Sequence, residues 1–443
     1  MTARPTGFLH WVLPAMLGVA VLAVLLSGRD LSQMFVELQG PPAPSHPAII
    51  WGQRVVSLLL LAASAERVIT HVALRQHLPS ALLAGAFLVF WLATVAAPAL
   101  LGAHPQLSHE YVYSLVIGFA ALLATGQERD KVIDGVRNAL FLFLLAGVIL
   151  VPLNPSMALD ASYRQGLLPG VPRLGGLAPH PVALGLFAQT FLLCLWCRPF
   201  SSRWLNRLAW LVGLGVLFFA QSKTAWIAFV ICSAVLLAVR QGPGVWRRLG
   251  DPRQSVFGIV FCLGVIAFVA ILMGVILLGD VETHATDFLD TPGGAQLVSM
   301  TGRDKIWAVA FEEWRENPVF GYGPGLWDDA FRASIRMPHA THGHNQFMDT
   351  LARSGSVGAA ALVLYAVVLL LLSVRYARAT GGLSLALFLA LALRSVSEVP
   401  LLMFDCGTEL FTHLLLIITL ASAAASRQQV VPAFSRTTYR VAS

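Results

Sequence analysis

Residues 356–374 read SVGAAALVLYAVVLLLLSV, a run that contains no charged side chain. Its length is close to the ~20 residues that cross a lipid bilayer as a helix. Similar apolar runs recur along the 443-residue chain, of which 57% is hydrophobic and only 12% is charged. Soluble domains carry roughly 25% charged residues, so this composition excludes a single core in water. The sequence therefore predicts an all-α integral membrane protein.

Outward from this run, the chain divides into about twelve apolar segments and one long polar connection. We expect residues 1–443 to form a single polytopic membrane domain. The first segment lacks a clear small-x-small cleavage site, so we expect it to be retained as a span. The expected spans lie near residues 8–26, 48–65, 80–101, 110–125, 138–152, 182–197, 208–221, 224–239, 255–279, 356–374, 383–397 and 407–425.

The basic residues set the orientation of these spans. Most of the 30 Lys and Arg residues lie in segments on the same side as the N-terminus. The positive-inside rule therefore predicts that both termini are cytoplasmic, and we expect a multi-pass protein of a bacterial inner membrane, surrounded by lipid. Because the net charge of +7 is spread over short loops, it does not indicate nucleic-acid binding. The short loops on the opposite side hold Arg29, Arg164, Arg173, Lys223 and Arg394.

The long polar connection, residues 280–354, is an insert between the ninth and tenth spans, which we expect to be periplasmic and helical. Thr301 and Asp304 resemble a capping box, and Asn317-Pro318 should end the helix that follows. A second stripe includes Trp327. Aromatic faces suit the membrane–water interface, so the sequence predicts that the insert lies on the bilayer. The two stripes are Trp307, Ala310, Phe311 and Trp314, then Trp327, Phe331 and Ile335.

Several cations violate the positive-inside pattern. Arg164 and Arg173 share one translocated loop, and Lys223 lies in a tight hairpin between two apolar helices. A cation at the membrane edge is costly unless its side chain reaches the lipid headgroups or binds an anion, and both interpretations remain open for each residue. Guanidinium groups bind phosphate through paired hydrogen bonds, so a cluster of them favours a pyrophosphate-linked lipid.

The stretch His342-Gly343-His344-Asn345 precedes the tenth span. A neutral imidazole is the usual group for moving protons near neutral pH, which makes it a candidate general base. Two alternatives remain, namely a metal site and a purely structural pair. Asp328 lies nearby in sequence but without a recognisable ligand spacing, so we expect no metal.

Five stretches in chain order resemble the O-antigen ligase and polymerase superfamily. The last of them is similar to the family signature H-[NSQ]-x9-G-x-x-G. Lys223 departs from the family, in which many relatives carry Arg, and its ammonium group lacks the planar fork with which Arg makes paired phosphate contacts. The first 150 residues resemble the family only in being apolar. The stretches are Arg173-Leu-Gly-Gly with His180-Pro181, Ser222-Lys223-Thr224, Thr301-Gly-Arg303 with Trp307, Asn317-Pro-Val-Phe-Gly-Tyr-Gly-Pro-Gly325, and His344-Asn345 with Gly355 and Gly358.

The resemblance implies transfer of an O-antigen glycan from undecaprenyl pyrophosphate to a lipid A–core acceptor on the periplasmic face, without nucleotide, metal or other cofactor. An O-antigen polymerase and a protein O-oligosaccharyltransferase share these motifs and remain alternatives. A transporter or flippase for the same lipid-linked glycan is an alternative of another class. The resemblance gives His344 as the catalytic base. It gives as substrate-binding residues Arg164, Arg173, His180, Lys223, Arg303, Tyr322, His342 and Asn345.

Overall fold

The computed structural model describes residues 9–33, 47–162, 170–249, 303–338, 340–404 and 407–430. The expected span at 255–279, the capping residue Thr301 and Arg164 lie outside these ranges. Two short strands, β1 (Leu159–Asp160) and β2 (Arg173–Leu174), pair antiparallel, with Asp160 opposite Arg173. The helices are α1 Leu9–Ser27, α2 Pro47–Ala73, α3 Ala81–Leu101, α4 Tyr111–Leu122, α5 Glu128–Leu153, α6 Pro181–Cys197, α7 Arg203–Phe219, α8 Lys223–Leu249, α9 Arg303–Glu316, α10 Asp329–Ser334, α11 Gln346–Arg375, α12 Leu383–Ser395 and α13 Phe411–Val430.

The membrane-spanning class is confirmed. Within the described ranges, seven helices are long and apolar enough to cross a membrane, and α4, α6 and α12 are shorter apolar helices. A helix lies at each expected span that falls within the described residues. The protein is therefore a mostly helical, multi-pass membrane protein. The number of twelve spans stays a prediction.

Burial separates the centre of the bundle from its rim. The span Thr408–Gln428, which contains most of α13, is 83% buried, whereas Pro47–Ala73 is 17% buried. Helix α13 packs against α12, α4 and α5, so it forms the central column. Large apolar side chains such as Trp204 and Leu211 are exposed. An apolar rim of this kind is what acyl chains of a bilayer would cover.

One end of the bundle is tied together by arginines. Arg67 and Glu128 form a buried ion pair at 2.8 Å, and Arg198 pairs with Asp134 at 2.8 Å. Because α6 runs from Pro181 to Cys197, this end is opposite to the one that carries His180. The sequence predicts that the arginine-rich end is cytoplasmic.

Helix α11 is interrupted at Gly355, and the segment Asn317–Gly325 packs against it there. Gly355 has φ 64°, a left-handed conformation that glycine adopts without a Cβ penalty. The backbone groups freed there pair with the segment. The Tyr322 amide donates to the Ala352 carbonyl at 2.8 Å, and the Ser356 amide donates to the Pro318 carbonyl at 2.8 Å. The glycine-rich sequence motifs therefore dock the insert onto α11.

The described part of the insert is helical, and α9 ends at Glu316, directly before Asn317-Pro318, as predicted. The aromatic stripes, however, pack largely within the protein. Ile306 and Ala310 of α9 share a small core with Trp327 and Phe331. The physical reason is that these side chains pack against one another and against Ala352 of α11, a contact that the linear pattern did not reveal. Whether the insert also lies on the bilayer stays a prediction.

Candidate active site

A tight turn immediately before α11 holds the two histidines. His344 has φ 46°, a region that non-glycine residues rarely occupy and that costs of order 1–3 kcal/mol. The His344 amide donates to His342 Nδ1 at 3.1 Å. The two imidazole rings lie 4.2 Å apart, centroid to centroid. Asn345 then caps α11, because its side-chain oxygen accepts from the Met348 amide at 3.0 Å.

A buried network fixes this turn. One Asp349 oxygen, Oδ1, accepts from the Gly343 amide at 2.8 Å and from the Trp327 indole at 3.0 Å. The other, Oδ2, accepts from Arg353 Nε at 2.8 Å. The Trp307 indole donates to the Gly343 carbonyl at 2.8 Å. Both backbone groups of Gly343 are thus bonded, so α9, Trp327 in the loop before α10, and α11 together determine where the histidines lie.

His342 is held neutral next to a carboxyl group. Its Nε2 lies 3.3 Å from Glu398 Oε2. Burial and, to a lesser extent, the charges of Arg353, Arg394 and Arg303 lower the His342 pKa to about 4. Because Nδ1 accepts from the His344 amide, the neutral ring carries its proton on Nε2 and donates to Glu398. Burial raises the Glu398 pKa to about 7.

His180 and Arg173 come to the same site from a different part of the chain. Arg173 lies on β2, is 5% exposed and donates from Nε to the Ala220 carbonyl at 2.8 Å. His180 caps α6 by accepting from the Val182 amide. Burial lowers the His180 pKa to about 4, and the charges of Arg173 and His344 act on it in the same direction.

The predicted cations largely converge. Arg303 begins α9, and its charge acts on the pKa values of both His342 and Glu398. Arg173 also acts on Glu398. Lys223 begins α8 beside Thr224, whose hydroxyl lies 3.2 Å from that of Ser397. The cluster therefore brings together β2, α6, α8, α9, the turn before α11 and the end of α12.

Other predicted residues have different surroundings. The Tyr322 ring lies 4.2 Å from that of His104 and 5.0 Å from that of Phe331, and its neighbouring charges are Glu313 and Asp328. The structure thus places it against His104 in the loop after α3, and not among the groups that contact His342 and His344. Arg164 lies outside the described residues. The Asn345 amide donates to the Val396 carbonyl at 3.3 Å, so both ends of this side chain bond to the protein.

Sequence reasoning missed Glu398, Glu409, Asp349 and Arg353, and it counted Arg394 only as a loop cation. Asp349 and Arg353 are spaced i, i+4 on α11, which is the spacing of a helical ion pair, so the sequence held a signal for them. No comparable signal joins Glu398 to His342.

Three side chains have the chemistry of metal ligands. Nitrogens of His342 and His344 and an oxygen of Glu398 lie within 4.8 Å of one another. Two imidazoles and one carboxylate are a common ligand set for zinc. The charges of Arg353, Arg394 and Arg303 act on the same groups, and they oppose the entry of a dication.

A large apolar groove lies beside Arg173, at one edge of this cluster. It encloses about 1360 Å³ between the ends of α5, α7 and α8, and Leu159 and Leu174 of the two strands line it. Leu174 follows Arg173 directly. The wall of the groove includes the exposed side chains of Leu211 and Phe219, so the groove lies on the rim of the bundle. An apolar chain seated there would lie next to a buried guanidinium.

Fold and site together define a multi-pass helical membrane protein with a cluster of histidines and arginines at one end of its bundle. Residues 208–363 match the protein family described as O-antigen ligase, which confirms the resemblance over that part of the chain. The family implies a glycosyltransferase-like membrane enzyme of the ligase or polymerase type. No curated protein matches the chain. The matched region includes Lys223, Arg303 and both histidines of the turn.

Proposed function

We propose that the protein transfers an O-antigen glycan from undecaprenyl pyrophosphate to a lipid A–core acceptor, with His344 as general base. The observation that carries this proposal is the juxtaposition of three features. They are the histidine turn before α11, the arginines acting on it, and the apolar groove next to Arg173. Transfer from a lipid-linked diphosphate donor would use all three features.

The reaction requires only two kinds of protein group. A sugar–diphosphate bond has a good leaving group, so the reaction needs a base for the acceptor hydroxyl and cations for the charge that develops on the phosphates. Both ring nitrogens of His342 bond to protein groups. This argues against His342 as the base and leaves the role with His344, the residue of the family signature. Arg173, Arg303 and Lys223 would hold the diphosphate.

The groove supplies the place for the polyprenyl chain. Its lining consists of Leu, Val, Phe, Pro, Trp, Ile and Gly side chains, which suit an isoprenoid in the bilayer. Arg173 lies on β2, the strand that forms one edge of the groove. A donor bound in this way would have its apolar chain at the rim and its diphosphate among the cations.

The experiment is a transfer assay with purified full-length protein, lipid-linked glycan donor and three acceptors. These are lipid A–core, a second repeat unit and an acceptor peptide. We expect a covalent product with lipid A–core, and we expect it to persist in excess chelator, because fixed cations neutralise the phosphates. His344→Ala should reduce turnover by about 10²–10⁴-fold while donor binding remains.

The matched control is His109→Ala, an exposed histidine in the loop after α3. It should leave transfer unchanged. Near-normal turnover by His344→Ala would remove the base assignment. Activity that chelator abolishes and a divalent ion restores would assign the trio of His342, His344 and Glu398 to a metal instead. Movement of the donor across the bilayer without any covalent product would favour a flippase.

A further inference from the structure

Arg394 is a buried cation whose bonding is incomplete. It lies in the last turn of α12, and its side chain is 8% exposed. It pairs with Glu409, while its Nε is buried and has no hydrogen-bond partner among the described residues. A guanidinium offers five N–H donors, and a buried donor left unbonded is costly.

Other buried arginines whose Nε also has no hydrogen-bond partner among the described residues make more hydrogen bonds through their terminal nitrogens. Arg29 donates to the carbonyls of four residues, and Arg67 donates to both oxygens of Glu128 and to a carbonyl. These side chains act as structural clamps. Arg394 is joined by one carboxylate, and the Glu409 side chain is 47% exposed. A pair with a half-exposed partner contributes little to stability, whereas burying a guanidinium costs much.

The surroundings of Arg394 are positively charged. The charge of Arg394 acts on both His342 and Glu398, as does that of Arg303, and Arg173 acts on Glu398. The guanidinium groups of Arg394 on α12, Arg303 on α9 and Arg173 on β2 thus all act on Glu398. Among the groups that act on Glu398, Glu409 is the acidic one, and it is also the carboxylate that pairs with Arg394.

We propose that Arg394 binds the diphosphate of the lipid-linked donor, and that Glu409 occupies its guanidinium when no donor is bound. This inference rests on the proposed function. A phosphate oxygen would accept from the unbonded Nε and from a terminal nitrogen, which is the paired geometry that arginine offers to phosphate. Glu409 can leave because its side chain already reaches solvent.

The test measures binding of farnesyl diphosphate and of inorganic pyrophosphate to the purified full-length protein. Arg394→Gln should weaken both by about 10–100-fold, the loss expected for a charge-assisted hydrogen bond, and Arg394→Lys should fall between. Glu409→Gln should tighten both by roughly threefold or more, because it removes the competing carboxylate. A purely structural ion pair predicts no gain from Glu409→Gln.

The matched control is the pair of Arg332 and Asp329 in α10, which also joins a largely buried arginine to an exposed carboxylate. Arg332→Gln and Asp329→Asn should leave both affinities unchanged. Unaltered binding by Arg394→Gln, or a loss confined to the lipid probe, would overturn the proposal. If Arg394→Gln does not accumulate, Glu409→Gln decides alone, and equal or weaker binding would refute it. A wild-type protein that binds neither probe would refute the proposed function as well.

Discussion

At the start of α6, the His180 ring closes the helix by accepting a hydrogen bond from the Val182 amide at 3.1 Å. The family resemblance gives His180 as a substrate contact, and the structure shows that it is also a helix cap close to Arg173. Burial and, to a lesser extent, the charge of Arg173 lower its pKa to about 4. The folded protein therefore keeps the ring neutral at pH values where an unfolded chain would protonate it.

This difference gives a prediction with a definite sign. Between pH about 6.5 and about 4 the unfolded chain binds more protons at His180 than the folded protein, so this residue's contribution to stability falls as the pH falls. His180→Asn keeps a capping oxygen but cannot titrate. We expect wild-type thermal stability in detergent to drop more between pH 7 and pH 4.5 than that of His180→Asn. Parallel losses in the two proteins would contradict the assignment.

The residue scale also shows what the sequence could supply. Sequence motifs and charge placement indicated Arg173, His180, Arg303, His342 and His344, and all of these fall in or next to the cluster. The carboxylates could not be found in this way, because Glu398 meets His342 across more than fifty residues of chain. Their contact depends on how α11 and α12 pack, which no local pattern encodes.

At the scale of elements, the break in α11 decides where the site lies. The apolar run predicted a span from residue 356, and the helix in fact begins at Gln346. Hydropathy detects the part of a helix that faces lipid, whereas the first turns carry the buried polar residues Asp349 and Arg353 and pack against the insert. The end of α9 before Asn317-Pro318 was predictable because proline restricts its neighbour directly.

The break should be sensitive to a single methyl group. A Cβ at Gly355 would lie 2.2 Å from the Val319 carbonyl oxygen. The backbone there has φ 64° and ψ −165°, a combination that essentially only glycine adopts and that costs a residue with a side chain about 1–3 kcal/mol. We expect Gly355→Ala to lower thermal stability and to reduce transfer, since the segment that docks there supports the histidine turn. At Gly18 in α1 a Cβ meets nothing within 4 Å, so Gly18→Ala should be neutral or slightly stabilising. Equal effects of the two substitutions would show that the break does not depend on glycine.

On the scale of the whole molecule, the bundle has two chemically different ends. One carries the ion pairs of Arg67 and Arg198, and the other carries the histidine turn. Composition and hydropathy were sufficient for the membrane class, because apolar side chains that face acyl chains are visible in any single helix. The arrangement of helices around α13 was not predictable, since it depends on packing between segments far apart in the chain.

The two ends give a test of orientation, which the positive-inside rule predicts with both termini in the cytoplasm. In a variant without the native cysteines, Ala330→Cys in α10 and Ser201→Cys in the loop after α6 place one thiol at each end, both at exposed positions. A membrane-impermeant maleimide should label residue 330 in cells whose outer membrane alone is permeabilised. It should label residue 201 only after the inner membrane is opened. The reverse order would invert the protein, and it would place the histidines in the cytoplasm, away from a periplasmic lipid A–core acceptor. The site could then not reach the acceptor, whatever its geometry. The reverse labelling order would therefore refute both the predicted orientation and the proposed reaction.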